Sequence, residues 1–219
     1  RAGELNHELA PKVDTISVDR LMTGEEAEVL AFLAQRPIHT VTMMSLVHDN
    51  GLENSLNRGE FYGCRDLHGR LEGIALVGHA TLMETVSDRA LAALAQMAQQ
   101  CSGTHMIMGE KERVADFWGH YAAAGRQQRL ACREWLFELS WPVEARGRVE
   151  GLRRATTAEL ELVMPVQAEL AFAESGVNPL QSDPQGFRKR CARRIEQGRT
   201  WVVIEDSKLI FKADIISRT

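Results

Sequence analysis

The chain has few of the residues and spacings that mark metalloproteins, disulfide-linked proteins and membrane spans. Four cysteines occur in 219 residues without a CxxC pair, and the seven histidines form no HExxH or HxxxH motif. No apolar run approaches the roughly 18 residues that cross a bilayer. The polar segment 1–12 lacks the apolar core of a signal peptide. These absences predict reduced thiols in the cytoplasm, no metal and no membrane partner.

The composition is that of an ordinary globular protein, with 44% hydrophobic and 26% charged residues. The net charge of −4 gives no overall reason to expect nucleic acid as a partner. A chain of this length can form one or two compact domains.

The opening of the chain predicts a strand followed by two helices. A β-type run occupies 15–18, and the spacing of Thr23 and Glu26 is typical of a capping box. Pro37 is expected to end the first helix. A second helix is predicted from about 39 to 48, before the Asn50–Gly51 pair that is typical of a helix C-terminus.

The following segment predicts a hairpin, because β-type runs at 61–65 and 74–79 flank a turn at 66–69. Five further elements are expected in order: a strand at 80–86, a helix capped by Asp88, a buried strand at 105–108, a helix ended by Gly125, and a closing strand at 132–139. His79 and the methionine pairs, including Met106 and Met108, are interpreted as core residues.

The second half of the sequence repeats this opening. A β-like run at 152–154 precedes a capping box at Thr156 and Glu159 and a helix that contains Pro165. Phe187, Cys191 and Ile195 follow at helical spacing, and the runs 201–205 and 209–216 predict another hairpin. The fold class is therefore mixed α/β, built from a duplicated unit.

The turn-forming segment 141–147 is the natural junction between the copies, which gives domains at 1–145 and 146–219. The first copy continues well past its hairpin, whereas the second reaches Thr219 directly after it. We therefore expect the second copy to be incomplete and the natural protein to continue. Because the sequence does not begin with methionine, we also expect residues to be missing before Arg1.

Several short sequence segments resemble those of a known protein family. Those of the first half are 36–40 (RPIHT), 49–52 (DNGL), 56–59 (LNRG), 61–65 (FYGCR) and 78–82 (GHATL). Those of the second half are Pro165, 174–179 (ESGVNP), 193–198 (RRIEQG) and 209–214 (LIFKAD). Together they resemble a bacterial tandem family of the GNAT acetyltransferase superfamily. In that family a GNAT-like N-terminal domain of unknown function precedes a GNAT domain.

The resemblance implies a tandem GNAT-like acyl-CoA N-acyltransferase fold. It also implies an N-acetyltransferase that uses acetyl-CoA as cosubstrate and a small-molecule or protein amine as acceptor. GNAT enzymes hold the coenzyme A pyrophosphate with an R/Q-x-x-G-x-G/A loop, whose glycines let backbone N–H groups approach the phosphates. The matching junction here, 84–88 (ETVSD), contains no glycine and no arginine. We therefore expect the first domain to be degenerate and this chain to lack activity by itself.

A second departure from the family pattern concerns the general acid. Many GNAT enzymes place a tyrosine in an A-x-x-F-Y-like string, where it can protonate the leaving thiolate. The matching string 114–118 (VADFW) ends in Trp118, which has no acidic hydroxyl, and Tyr121 lies one turn further on. Tyr121 therefore stays open as a shifted acid.

Three residues are the predicted acceptor side of the second domain. Glu174 is the candidate catalytic base, and Ser175 and Asn178 are candidate substrate-binding residues, because the resemblance places the acceptor pocket at this helix connection. Turn chemistry alone also explains the Ser-Gly-Val-Asn-Pro composition of the segment. Asp214 could face the same cleft, but a surface position is the favoured interpretation.

The strongest charge feature is basic: Arg188, Lys189, Arg190, Arg193, Arg194 and Arg199. A solvated helix surface is the favoured interpretation, and attraction of an anionic substrate or of coenzyme phosphates is the alternative. Nucleic acid is disfavoured because no aromatic residues interleave with these charges. Two rival functions stay open, a non-catalytic ligand-sensing or partner-binding module and a tandem aminoacyl-transferase that uses aminoacyl-tRNA.

Overall fold

The computed structural model describes residues 16–142, 144 and 147–218. These fall into two compact units, unit 1 up to residue 133 and unit 2 from residue 134 to 218. Both units are mixed α/β. The junction at 145/146 stays a prediction, since residues 143, 145 and 146 lie outside the described residues.

Unit 1 contains a five-stranded mixed sheet in the order β1-β2-β3-β4-β5. Its strands are β1 (Ser17–Arg20), β2 (Gly59–Arg65), β3 (Leu71–Gly78), β4 (Ala80–Thr85) and β5 (Met106–Met108). The first four are antiparallel neighbours, and β5 runs parallel to β4. The predicted hairpin at 61–79 is confirmed, with Gly69 at φ 77° in its turn.

Four helices cover the two faces of this sheet: α1 (Glu26–Leu33), α2 (Pro37–Asn50), α3 (Asp88–Ala98) and α4 (Lys111–Tyr121). Helices α1 and α2 pack on one face, around the fully buried Phe61 of β2. Helices α3 and α4 pack on the other face, where Phe117 is fully buried. Burial of each phenylalanine contributes about 1.5–3 kcal/mol to folding.

The end of the β2–β3 hairpin is unusually tight. Gly59 and Gly78 are directly opposite each other in the ladder, and the Arg58 carbonyl oxygen occupies the space where a side chain of residue 78 would begin. A Cβ atom on Gly78 would lie 2.2 Å from that carbonyl oxygen. His79 then donates its N–H to the same carbonyl at 2.9 Å, which fixes the point where the chain turns into β4.

Unit 2 repeats the opening of unit 1 with a smaller sheet. Its strands, in the order β6-β7-β8, are β6 (Arg153–Arg154), β7 (Thr200–Glu205) and β8 (Lys208–Asp214), all antiparallel. Its helices are α5 (Leu160–Ser175), α6 (Pro179–Ser182) and α7 (Pro184–Glu196). The stripe of Phe187, Cys191 and Ile195 is buried as predicted, and the Thr156–Glu159 capping box is confirmed.

Several local predictions are wrong. Thr23 donates its hydroxyl to Glu53 at 2.7 Å, and α1 has no side-chain cap. Ser87, not Asp88, caps α3. Pro37 begins α2 instead of ending α1 directly, since its fixed φ suits a first helical position.

The predicted closing strand at 132–139 is also wrong, because residues 126–142 form no regular element. A strand requires a neighbour for its backbone N–H and C=O groups, and the described residues supply none here. Met106 and Met108 are 46% and 41% exposed, so they are not the core residues that were expected. They belong to β5, which is the edge of the sheet.

Candidate functional site

Unit 1 brings two helix N-termini to the carboxyl ends of its parallel strands. β4 leads through Val86 into α3, and β5 leads through Gly109 into α4. Open α/β sheets bind ligands outside the carboxyl ends of parallel strands, and helix N-termini attract anions. Within the described residues β4 and β5 pair only over 80–82 and 106–108. We call the place beyond this pairing the carboxyl edge, bounded by Glu84, Ser87 and Glu110.

The N-terminus of α3 is already occupied by side chains of the chain itself. Ser87 accepts a hydrogen bond from the backbone N–H of Ala90 at 3.2 Å and donates its hydroxyl to Glu72 at 2.8 Å. Asp88, the first helical residue, pairs with Arg113 at 2.8 Å. A pyrophosphate at this position would meet carboxylates and a capped helix. The N-terminus of α3 therefore does not fit the phosphates of acetyl-CoA.

One arginine spans the carboxyl edge. Arg36, the residue before α2, lies 3.2 Å from Glu84 Oε1 through Nη1 and 2.8 Å from Glu110 Oε2 through Nη2. The Glu84 side chain is only 10% exposed. The hydrogen bond from Arg36 lowers the pKa of Glu110, and the same bond raises the pKa of Arg36. Arg36 thus joins the α1–α2 corner to the ends of both parallel strands.

Tyr121 is a core residue of unit 1. It is buried, and its ring centroid lies 6.1 Å from the ring centroid of Phe117 and 5.8 Å from that of Trp118. The guanidinium carbon of Arg126 lies 5.1 Å from the ring centroid of Tyr121. A general acid must reach the group that it protonates. The phenol of Tyr121 does not face solvent in this packing, which weighs against its use as a shifted acid.

The three predicted acceptor-side residues of unit 2 lie at the end of α5 and the start of α6. Glu174 is exposed in the last turn of α5. Ser175 donates to the carbonyl of Ala171 at 2.7 Å and accepts from the N–H of Val177 at 3.1 Å. Asn178 caps α6 by accepting from Leu180 N at 3.0 Å. Ser175 and Asn178 therefore perform local capping, as turn chemistry requires.

The densest group of buried charges lies elsewhere in unit 2. We call it the Asp214 cluster, and its members come from α5, α7, β7 and β8: Gln167, Arg194, Thr200, Lys212 and Asp214. Lys212 Nζ lies 2.5 Å from both Asp214 Oδ2 and Gln167 Oε1. Arg194 donates to Asp214 Oδ2 at 2.9 Å and Thr200 to Oδ1 at 2.8 Å.

The surface position favoured for Asp214 is wrong. Its side chain is 7% exposed and that of Lys212 is 5% exposed. Burial raises the pKa of Asp214, but hydrogen bonds from Lys212 and Thr200 and the charge of Arg194 outweigh it, so the pKa lies below its usual value. A carboxylate with three donors is poorly suited to take a proton from a substrate, and the cluster mainly ties helices to the sheet.

Sequence reasoning did not single out Lys212. The signal was present, because Lys212 and Asp214 are two residues apart in a predicted strand and so share one face. Their partners Gln167 and Arg194 are far away in sequence, and no local pattern indicates that they meet this strand.

The basic residues of α7 are largely paired. Four arginines each contact a carboxylate, in the pairs Arg188–Glu161, Arg190–Asp183, Arg193–Glu196 and Arg194–Asp214. An anionic ligand would have to compete with these carboxylates. This pairing favours a structural role for the charges and gives no support to the aminoacyl-tRNA hypothesis.

No protein-family model matches the chain, and neither a curated protein nor a solved structure matches it. Among the described residues, no group of three or more His, Cys, Asp or Glu side chains is placed to hold a metal ion. The described helices include none of the length and apolar character that a bilayer crossing requires.

Proposed function

We propose that the protein is an acyl-CoA-dependent N-acetyltransferase of the GNAT type, in which unit 1 does not perform chemistry. The observation that supports it is the repeated strand order. In unit 1 two helices separate β1 from the antiparallel β2–β3 hairpin, and in unit 2 α5–α7 separate β6 from the antiparallel β7–β8 hairpin. This is the duplicated opening that the resemblance implies.

The assignment of unit 1 as non-catalytic rests on three features. Ser87 caps the helix end where phosphates would bind, Arg36 spans the carboxyl edge, and Tyr121 is buried. They favour the second candidate function for this unit, a ligand-sensing or partner-binding role beside a catalytic domain.

On the acceptor side, Glu174 takes the proton that the amine loses when its nitrogen attacks the thioester carbonyl. The new C–N bond forms as the C–S bond breaks, and coenzyme A leaves as a thiolate that then takes a proton from solvent. The exposure of Glu174 at the α5–α6 connection is compatible with this role. Ser175 and Asn178 hold the connection in place through their capping bonds.

Release of coenzyme A tests the proposal. The protein at its natural length is mixed with acetyl-CoA and a panel of small-molecule and protein amines, and free thiol is measured. We expect amine-dependent thiol release. The absence of both acetyl-CoA binding and thiol release in the natural-length protein would refute the proposal.

A matched pair of variants tests Glu174. In Glu174→Gln we expect kcat to fall about 10²–10⁴-fold, the usual contribution of a general base. Glu169→Gln changes another exposed carboxylate of α5 and should leave kcat unchanged. Equal rates for the two variants would remove Glu174 from the mechanism.

A further inference from the structure

The β5–α4 segment of unit 1 (106–121) is firmly held at one end and weakly at the other. Near the end of α4, Tyr121 is buried in the core, and Gln99, the residue after α3, donates to the carbonyl of His120 at 2.7 Å. β2 and β3 pair along their whole lengths, whereas β5 pairs only through its three residues and forms the sheet edge. The first turn of α4 therefore depends on side chains for its attachment.

Beside the packing of Ile107 of β5 against the core, two ion pairs provide that attachment. Glu110 is held by Arg36, and Arg113 is held by Asp88. Asp88 is 92% exposed, so solvent and salt screen its pair, and such pairs contribute little to stability. Arg36 also binds the nearly buried Glu84, where screening is much weaker. The Arg36–Glu110 pair that reaches α4 is itself 37% and 42% exposed, so its advantage over the Arg113–Asp88 pair comes from Glu84, which holds the same guanidinium in place.

We propose that Arg36, Glu84 and Glu110 form a latch that holds the carboxyl edge of unit 1 closed, and that release of the latch lets the start of α4 swing away from β4. The closed state denies ligands the place where α/β sheets bind them. Opening exposes residues 83–85 of β4 on the side away from β3, where the described pairing with β5 has ended. This latch is independent of the acetyltransferase proposal, since it requires no acyl-CoA and no unit 2.

Hydrogen exchange of backbone amides measures the opening. In Arg36→Met, which keeps the aliphatic part of the side chain and removes the charge, we expect amides at 108–113 to exchange at least about 10-fold faster. Amides of β2 at 61–64 report the global stability of unit 1 and should keep their protection. Arg113→Met is the matched control, because it removes the other tie to the same turn, and we expect a change of less than about 3-fold.

Two further measurements complete the test. Arg36→Lys keeps the charge but cannot bridge two carboxylates as a planar guanidinium does, so its exchange should lie between wild type and Arg36→Met. Because 1 M salt screens the Arg36–Glu110 pair more than the Arg36–Glu84 pair, exchange in the wild type should move part of the way towards that of Arg36→Met, while the variant itself changes by less than about 3-fold. Unchanged exchange at 108–113 in Arg36→Met, an equal rise at 61–64, or an equal effect of Arg113→Met would each overturn the proposal.

Discussion

Both units begin with a strand, continue with helices and then form an antiparallel hairpin, but they bury their sheets differently. In unit 1 the pairs α1–α2 and α3–α4 cover opposite faces of the sheet. In unit 2 one core forms between the sheet and α5 and α7. Fifteen of the 22 large apolar side chains exposed among the described residues lie in unit 2, although it is the shorter unit. Seven of these fifteen lie in 134–152, before the first strand of unit 2, and two, Ile210 and Phe211, lie on β8.

The ends of the two hairpins show the same contrast. Gly59 and Gly78 form the terminal pair of the hairpin in unit 1, and Thr200 and Asp214 form it in unit 2. The first pair permits close backbone packing, whereas the second supplies the carboxylate of a buried ion cluster. One topological position is therefore stabilised by steric fit in one unit and by charge in the other.

The largest expected effect concerns the buried ion cluster at the end of the hairpin in unit 2. Asp214→Asn leaves Lys212 and Arg194 without their carboxylate, and we expect about 3–5 kcal/mol of destabilisation in unit 2. Hydrogen exchange of β7 and β8 under native conditions measures it. The control is Asp206→Asn, in the exposed hairpin turn at φ 45°, a conformation that asparagine tolerates. A matching loss of protection in β2 and β3 would show that the units do not have separate stabilities.

Steric fit in unit 1 is tested by Gly78→Ala. The added Cβ would meet the Arg58 carbonyl oxygen and Gly59 Cα, both backbone atoms, so we expect a loss of about 1–3 kcal/mol in urea unfolding. Gly103→Ala is the control, since its Cβ would have nothing within 4 Å. Equal midpoints for the two variants would mean that the hairpin end relaxes easily.

Acid should destabilise unit 2 through the Asp214 cluster. The pKa of Asp214 lies below its usual value in the folded state, while in the unfolded chain it is about 3.9. The ionised Asp214 carboxylate therefore contributes fully to the stability of unit 2 above the unfolded-state pKa. That contribution is lost as the pH falls through the folded-state pKa. At a given pH the effect is smaller than that of Asp214→Asn, because only part of the carboxyl population is protonated. Unfolding curves between pH 6 and 2 should differ between wild type and Asp214→Asn, and parallel curves would contradict this assignment.

The smallest effect is expected at the exposed apolar segment of unit 2. Phe137 is 86% exposed, so Phe137→Ser should change stability by less than about 0.5 kcal/mol. Phe117→Ala, at a fully buried site of unit 1, should instead lose about 3–5 kcal/mol. Thermal unfolding of both variants gives the comparison. A loss above about 1 kcal/mol for Phe137→Ser would show that this side chain is covered in solution.

Helix and hairpin positions followed from the sequence where the signal was local. The four-residue spacing of Phe187, Cys191 and Ile195 predicted the buried face of α7, and the capping box at Thr156 formed as its spacing requires. Both features depend on residues within two turns of each other. Local geometry is then sufficient to place the side chains.

Predictions failed where the partner is distant in sequence. Segment 132–139 has the composition of a strand, but no described neighbour pairs with it. Thr23 matches a capping motif, yet Glu53 accepts its hydroxyl. The strand-to-helix junction at 84–88 was correctly predicted, whereas the contacts of Arg36 at this edge join it to residues 48 and 74 positions away.

The sequence by itself determined the mixed α/β class, the repeated order of elements and the faces that the helices bury, because periodicity and capping act over a few residues. Only the tertiary structure decided that Asp214 is buried with Lys212, that Tyr121 lies in the core, and that Arg36 closes the carboxyl edge. Ion pairs and strand ladders join residues that are far apart in the chain, so their partners are fixed only when the elements pack.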